Sequence, residues 1–274
     1  MTTSNTTGQP AGNFDWDTLT LAEGSHDNGE TDDCGNPLLC FMEALNVSRG
    51  LRVTDDCPAD VSRTLYGFII EFNDALGTVD RQRLKPYRDQ IGGTGGQPAA
   101  DERAAYMCVD WLIRTHTPTF LRLADLTAHA DALAGASEII DLAALGQVTD
   151  HVSAARSAAE SAADSAVDSA ADSAADWAGR SAAYSTAYST AASAGCSAAY
   201  SAAYSAAESA AVRQALLAAY LAADSVVRSA AVSVSVSAAV SAAEQMLTAT
   251  AAALQASAFG VLDQMIATYT VAAA

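Results

Sequence analysis

The residues of this chain best suited to chemistry are Asp110, Arg114 and His116, which stand close together in the run VDWLIRTHTP. Asp110 and Arg114 are four residues apart, so on a helix they share a face and can form an ion pair. His116 follows near the expected end of that helix, where the helix dipole favours a cation. These three residues could serve acid–base catalysis, but the four-residue separation of Asp110 and Arg114 is also typical of a structural ion pair. We predict a buried ion pair between Asp110 and Arg114 that fixes the surroundings of Trp111.

No established catalytic or ligand-binding motif accompanies this trio in the sequence. The chain has no Ser nucleophile elbow, no HExxH and no paired-carboxylate motif. The glycine-rich run 92–96 lacks the Lys and the Ser or Thr of a P-loop, which predicts a flexible connector between two helices. A zinc site could be imagined around His26, but the cysteines nearest to it contain no CxxC pair. Those cysteines are Cys34, Cys40 and Cys57. The sequence therefore predicts no enzymatic activity, no cofactor and no metal site.

The elements that position these residues lie in a region, residues 34–149, whose apolar pattern predicts a compact helical domain. Pro58 in a predicted first turn is followed by apolar residues at helical spacing. They are Val61, Leu65, Phe68, Ile69 and Phe72. The best-patterned helix runs from about 99 to 115, and Pro118 predicts that the next helix starts separately. Residues 1–33 are polar and have no basic stretch followed by an apolar one, so we predict no signal peptide and a disordered tail.

The second half of the chain contains a tetrapeptide array of the form Ser-Ala-Ala-x over residues 153–245. Ser recurs every four residues from Ser153 to Ser241, and the phase holds for more than twenty repeats, with other residues in place of Ser at Trp177, Arg213, Leu217 and Leu221. A fixed internal period of this kind is typical of repeat architectures. Since Ala is the best helix former and the array contains no Pro, the array predicts helix.

A period of four residues constrains what such a helix can contact. Each repeat advances its Ser by about 40° around a helix of about 3.6 residues per turn, so the Ser row spirals round the axis in about nine repeats. Unlike a heptad helix, this helix is thin on every side, and other backbones can approach it closely. Gly179 and Gly195 could mark breaks, but the Ser phase continues after each of them. This slightly favours a continuous rod over a folded-back bundle.

The variable fourth position of the repeat becomes less polar along the array. Asp dominates its first third, Tyr follows, and Val and Leu dominate its last third. We therefore predict that the first third is solvated and that the last third is buried, either in the chain or against another copy. The tyrosines are candidate interaction residues, namely Tyr184, Tyr188, Tyr200, Tyr204 and Tyr220.

The C-terminal residues 246–274 carry enough Leu, Met, Phe and Tyr to predict a helix that packs in the protein or forms an oligomer. Residues 245–262 have no charge and reach the lower length limit for a membrane span. Ala, Thr, Ser and Gln dominate this stretch and no basic flank orients it, which disfavours membrane insertion.

The overall charge narrows the range of partners. The net charge is −18, from 32 acidic and 14 basic residues with Lys85 as the single Lys. Nucleic-acid phosphates are bound by clustered Lys and Arg, so this balance argues against a nucleic-acid partner. It suits a soluble, self-repelling protein or an anionic decoy. Five cysteines, an odd number without an export signal, predict a reducing cytoplasm.

The run VDWLIRTHTPTFLRLADLTAHADALAGASEI, residues 109–139, is preceded by DRQRL at 80–84 and ADER at 100–103. In these motifs the chain resembles a family of uncharacterised proteins from actinobacteria and their phages, which also end in Ala-rich tetrapeptide tails. The resemblance covers residues 34–245, and the DWxxRTxTP segment is its most specific part. It implies a helical domain with a repeat tail, and it implies no activity.

These patterns predict an all-α protein with a small helical N-terminal domain followed by long Ala/Ser-rich helices, as an extended rod or a folded-back bundle. The predicted divisions are a tail at 1–33, a helical globular domain at 34–149, a repeat helix at 150–245 and a packing helix at 246–274. The predicted function is that of a non-enzymatic structural or protein-interaction protein that self-associates or spaces other components, in the cytoplasm or, if phage-encoded, in the virion. The alternative is an acidic host-directed effector, immunity or decoy protein that binds a bacterial protein.

Overall fold

The computed structural model describes residues 15–27, 30–171, 197–199, 201–202, 210–237 and 240–272. Within these ranges the regular structure is helical apart from two isolated β-bridges, which confirms the all-α prediction. The helices are α1 (Phe41–Ser48), α2 (Arg63–Ala75), α3 (Thr78–Arg81), a 3₁₀ helix (Gln82–Asp89), α4 (Pro98–Trp111), a π-helix (Leu112–His116), α5 (Thr117–Leu123), α6 (Thr127–Ala134), α7 (Leu142–Ala171), α8 (Ala210–Ser237) and α9 (Val240–Ala272).

The segment before α1 is folded onto the rest of the protein. Trp16, Leu19 and Leu21 are buried, and the Trp16 ring meets the ring of Phe41 edge-on at 5.9 Å. The side-chain amide of Gln82 bonds both the N–H and the carbonyl of Leu21. The prediction of a disordered tail up to residue 33 is therefore wrong for residues 15–27 and 30–33. A few large apolar side chains anchor a segment that is otherwise polar.

A continuous helical stretch runs from α4 through the π-helix into α5. The sequence predicted a separate helix start at Pro118, and this prediction is wrong. In the π-turn the N–H of Thr117 bonds the carbonyl of Leu112, five residues back. The Thr117 hydroxyl donates to the same carbonyl at 2.8 Å. The wider turn accommodates a proline that lacks an N–H and would crowd a regular α-turn.

The glycine-rich run 92–96 connects the 3₁₀ helix to α4, but its contacts hold it in place. The hydroxyl of Thr94 accepts from the N–H of Ser62 at 2.9 Å, and the N–H of Gly95 donates to the Asp60 carbonyl at 2.9 Å. A Cβ on Gly95 would lie 2.7 Å from the carbonyl oxygen of Ala59, so only glycine fits there. The predicted connector is present, and it is ordered by these bonds.

Helix α9 packs against α4 and α2 and so completes the N-terminal part of the fold. Phe259 packs on Phe72 with ring centroids 4.8 Å apart. The Tyr87 hydroxyl donates to Asp263 at 2.7 Å, spanning 176 residues of sequence. We call the described residues between 15 and 134, together with α9, the head. The uncharged stretch 245–262 thus lies in a helix whose apolar side chains pack in the protein.

One stretch of the described residues, Val212–Val234 in α8, is long and apolar enough to cross a membrane, with a mean hydropathy of 1.4. About 33% of its apolar window is buried in the protein, and Leu216 and Val226 are fully buried. A single stretch of this kind is weak evidence for a membrane span, since the core helix of a soluble protein has the same length and composition.

The two long repeat helices, α7 and α8, pack against each other. Val152 and Ala222 line the same groove between them. Farther along both helices, the Ser225 hydroxyl lies 3.5 Å from a carboxylate oxygen of Glu160. From the first of these two sites to the second, the residue numbers rise in both helices, so α7 and α8 run parallel. Glu160 and Ser225 are 65 residues apart in the sequence, so α7 and α8 pack as two separate helices.

The buried positions of α8 drift through the repeat. The buried residues first occupy the fourth position, at Val212 and Leu216. They then occupy the third position at Ala223 and Val227, and the second at Val234. Each repeat rotates by about 40°, and neighbouring positions of the repeat are about 100° apart around the axis. The position that faces a fixed direction therefore moves back by one about every 2.5 repeats. The drift predicted from the period is therefore confirmed in α8.

Candidate functional site

The predicted pair of Asp110 and Arg114 is present in α4 and the π-helix. One guanidinium nitrogen of Arg114 lies 3.0 and 3.2 Å from the two carboxylate oxygens of Asp110. Asp110 also accepts the N–H of Ile139 at 2.8 Å, so the pair holds the segment before α7 against α4. The two side chains are partly exposed rather than fully buried. Trp111 is fixed from elsewhere, because its indole N–H donates to the Ser257 hydroxyl of α9 at 2.9 Å.

His116 does not join Asp110 and Arg114. Its ring lies between the rings of Trp111 and Phe120, with centroids 5.2 Å away on each side. The residue is fully buried, and neither ring nitrogen has a hydrogen-bond partner among the described residues. Burial lowers the pKa of His116 from 6.5 to about 3, because desolvation disfavours the charged form. The expectation of a cation at a helix end is therefore wrong, and the imidazole is a neutral packing group.

The candidate interaction tyrosines fall mainly on residues without a described placement. Tyr184, Tyr188, Tyr200 and Tyr204 lie outside the described residues. Tyr220 lies in α8, is half-buried and packs against the core. The structure therefore places one of the five predicted residues, in a partly packed position.

An open apolar groove lies between α7 and α8. We call it the α7–α8 groove, and its volume is about 250 Å³. Its lining consists of apolar and small side chains from the π-helix, α7 and α8. These residues are Ile113, Leu142, Leu145, Gly146, Val148, Thr149, Val152, Ser153, Ala215, Ala218, Ala219 and Ala222. Leu142 at its edge is 40% exposed, although leucine is more often buried. The groove therefore offers apolar surface to a partner.

A second, polar cavity lies between the segment before α1 and α3. We call it the polar cleft, and its volume is about 650 Å³. Its lining residues are Asp15, Thr18, Leu19, Thr20, Leu21, Ala22, Glu23, His26, Asp32, Asn36, Pro37, Leu38, Thr78 and Arg81. A volume of about 300–1,000 Å³ is typical of small-molecule sites.

A histidine at the polar cleft is held by a buried carboxylate. Nδ1 of His26 lies 3.0 Å from a carboxylate oxygen of Glu43, whose side chain is fully buried. Glu43 also accepts the N–H of Cys40 at 2.8 Å, and the Cys40 sulfur accepts the N–H of Glu43 in a capping box at the start of α1. The dyad was missed in the sequence because His26 and Glu43 are far apart and no motif joins them.

The thiol of Cys40, at the start of α1, is buried beside Glu43. Burial, and after it the charge of the neighbouring Glu43, raise the pKa of this thiol to about 12. A thiol with such a pKa stays protonated at neutral pH, whereas thiolate is the reactive form. Among the described residues, no group of three or more His, Cys, Asp or Glu side chains is arranged to hold a metal ion.

A third polar cluster joins three helices of the head. The hydroxyls of Ser62 and Tyr269 lie 2.8 Å apart, and both bond the carboxylate of Asp101. Ser62 also caps α2 by accepting the N–H groups of Thr64 and Leu65. Burial raises the pKa of Tyr269, so its hydroxyl remains a donor. The cluster fastens the end of α9 to the starts of α2 and α4, which is a structural role.

Comparison of the chain with known protein families, with curated proteins and with solved structures found no match. Function is therefore inferred from the residues of the chain itself. Two features are open to a partner or ligand, namely the apolar α7–α8 groove and the polar cleft. The α7–α8 groove bears on the predicted self-association, whereas no sequence motif predicted the polar cleft.

Proposed function

We propose that this protein is a non-enzymatic protein-interaction protein that self-associates through the α7–α8 groove, in the cytoplasm or, if phage-encoded, in the virion. The observation that carries this proposal is the groove itself, which is open and apolar, with alanines on its α8 side and Leu142, Leu145, Val148 and Val152 on its α7 side. Apolar grooves between helices bind an amphipathic or small-faced helix in many complexes.

The composition of the groove wall favours a helix as the occupant. Ala215, Ala218, Ala219 and Ala222 form the α8 side, and Gly146 lies on the α7 side. Small side chains let two helix backbones approach closely, so that many weak dispersion contacts add up.

The chain itself supplies a helix of the required kind. The repeat places Ala or Ser at three of every four positions over most of the array. Because the four-residue period rotates every position around the axis, each exposed side of such a helix presents small residues. A second copy of the chain is therefore the occupant that we propose.

Charge sets the conditions under which two copies would meet. The net charge of −18 makes two copies repel each other, and salt screens this repulsion. Apolar contact in the groove is not weakened by salt. Self-association is therefore expected to strengthen as the salt concentration rises.

Sedimentation equilibrium of the full chain at several salt concentrations tests the proposal. We expect a dimer or larger species whose association strengthens with salt, and Ala218→Trp should weaken it about tenfold or more by filling the groove. Ala154→Trp is the matched control, since Ala154 is exposed on α7 and does not line the groove. A monomer at all concentrations, or equal effects of the two variants, would contradict self-association through the groove.

The alternative role, an acidic effector or decoy that binds a bacterial protein, is favoured by the distribution of charge. Among the described residues, ten arginines form an ion pair with an acidic residue, and the chain keeps a net charge of −18. A net negative charge attracts basic proteins over long range. Capture of a basic partner from bacterial lysate, lost at high salt and unaffected by Ala218→Trp, would support this role over self-association.

A further inference from the structure

The walls of the α7–α8 groove carry no charge. Residues 142–149 of α7 and residues 214–223 of α8 contain no Asp, Glu, Lys, Arg or His, and the other residues that line the groove are also uncharged. In a chain with a net charge of −18, contact over this surface places no like charges directly opposite each other. The groove is therefore a surface on which this acidic chain can meet a second copy of itself.

The rim of the groove admits a helix at close range. Apart from Leu142, the exposed residues of the rim have short side chains, namely Gly146, Thr149, Ser153 and Ala218. The buried lining residues are larger and apolar, namely Leu145, Val148 and Val152. A partner backbone can approach such a rim closely, and a side chain from that partner then contacts the larger apolar residues.

Helix α8 leaves a large apolar side chain exposed beside the groove. Leu221 is 55% exposed, although leucine is more often buried. It follows Ala218 by three residues, so the two residues share the exposed face of α8. Each copy of the chain therefore carries an apolar groove and, next to it, an apolar side chain that its own fold does not cover.

The groove and Leu221 lie on opposite sides of Ala218. Successive residues of a helix are about 100° apart around its axis, which places Ala219 and Ala222 to one side of Ala218 and Leu221 to the other. Ala219 and Ala222 line the groove. A twofold rotation about an axis through Ala218 exchanges the two sides, so that Leu221 of each copy meets the groove of the other.

We propose that two copies associate through an isologous interface in which α8 crosses α8 at Ala218 and Leu221 of each copy fills the α7–α8 groove of the other. This inference rests on the proposed self-association and adds the symmetry of the interface and the residue that anchors it. The groove, with a volume of about 250 Å³, has room for a leucine side chain. Burial of one leucine strengthens binding about tenfold or more, and the twofold axis doubles the number of such contacts.

Sedimentation equilibrium of the full chain tests the anchor. Leu221→Ala should weaken the dimer about a hundredfold, because the symmetry removes two leucine contacts at once. Leu51→Ala is the matched control, since Leu51 is 47% exposed in the head and does not line the groove. Circular dichroism confirms that both variants are folded, and the control should leave the dimer unchanged.

Disulfide trapping tests the symmetry. Ala218→Cys should form a disulfide between the substituted positions of two copies on mild oxidation, because a disulfide needs Cα atoms within about 7 Å of each other. Ala154→Cys, at an exposed position of α7 outside the groove, should form little of it. Both variants also carry Cys34→Ser, which removes an exposed thiol, and peptide mass mapping identifies the bond.

Equal dimer affinities of Leu221→Ala and Leu51→Ala, or no disulfide between the Ala218→Cys chains, would overturn this interface. If Ala218→Trp still weakened the dimer in that case, the groove would remain the site of self-association and only its anchor and symmetry would be wrong. A wild-type chain that stayed monomeric at all concentrations would remove both proposals.

Discussion

In the head, Phe68, Phe72 and Phe120 are fully buried, whereas the buried face of α7 beyond Val152 consists of alanines. Those alanines are Ala155, Ala159 and Ala163. A buried Phe removes several times more apolar area from water than a buried Ala. The head therefore gains stability from a few large side chains, and the α7–α8 pair gains it from close backbone approach over many small ones.

The two regions also differ in how well their packing is specified. Large rings of different shape fit together in one arrangement, as Phe72 does between Phe68 and Phe259. A helix face made of alanines presents the same surface to its neighbour when the helix is shifted by one repeat, so alanine packing alone does not fix the register. The register of α7 against α8 is therefore set mainly by its few larger residues, such as Val152 and Leu216, which are buried.

Truncation of a large side chain in each region gives the largest expected contrast. Phe72→Ala should lower the free energy of unfolding by about 3–5 kcal/mol, because it removes a fully buried ring and leaves a cavity. Val226→Ala, at a fully buried position of α8, should cost about 2 kcal/mol. Urea denaturation of both variants measures the difference. Equal losses would show that α8 packs as densely as the head.

Acid should destabilise the head through His116, which the folded state keeps neutral. The unfolded chain binds a proton below pH 6.5 and the folded chain only near pH 3, so the free energy of unfolding falls as the pH drops through that window. The contribution of His116 is about 2 kcal/mol between pH 6.5 and pH 5.

Replacement of this histidine isolates its share of the acid sensitivity. His116→Phe should reduce the loss of stability on acidification by that amount, measured by urea denaturation at each pH. His151→Gln is the control, since it removes an exposed histidine of α7 outside the head. The same slope for the wild type and His116→Phe would rule out the buried neutral imidazole.

The smallest expected effect concerns the repeat helix. Gly146 lies in α7, and a Cβ there would meet no atom within 4 Å. Gly146→Ala should therefore raise the free energy of unfolding by about 0.5–1 kcal/mol, because alanine is the better helix former. Ala154→Gly, at an exposed position of the same helix, should lower it by a similar amount. Thermal unfolding of both variants measures these changes. If neither variant changes the free energy of unfolding, α7 contributes little to the stability of the fold.

The sequence was informative where structure depends on local spacing. The pair of Asp110 and Arg114 follows from a four-residue separation on a helix, and the drift of the buried positions in α8 follows from the repeat period. The folded segment around Trp16 and the dyad of His26 with Glu43 depend on contacts between distant residues. No local pattern encodes such contacts, so the sequence alone missed them. The course of the chain at Pro118 depends on a π-turn for which no sequence rule was available.

Tyr269 and Ser62, whose hydroxyls are bonded, stand 207 residues apart in the sequence. During synthesis the ribosome must therefore add the whole repeat before the helix that closes the head exists. Until then the surface of α2 and α4 that α9 will cover, with Phe72 and Trp111, is open to water. Pairing over such a distance is also slow, because a long loop must close first. The nascent chain thus spends much of its translation with an incomplete hydrophobic core, and a chaperone that shields this surface would shorten its exposure.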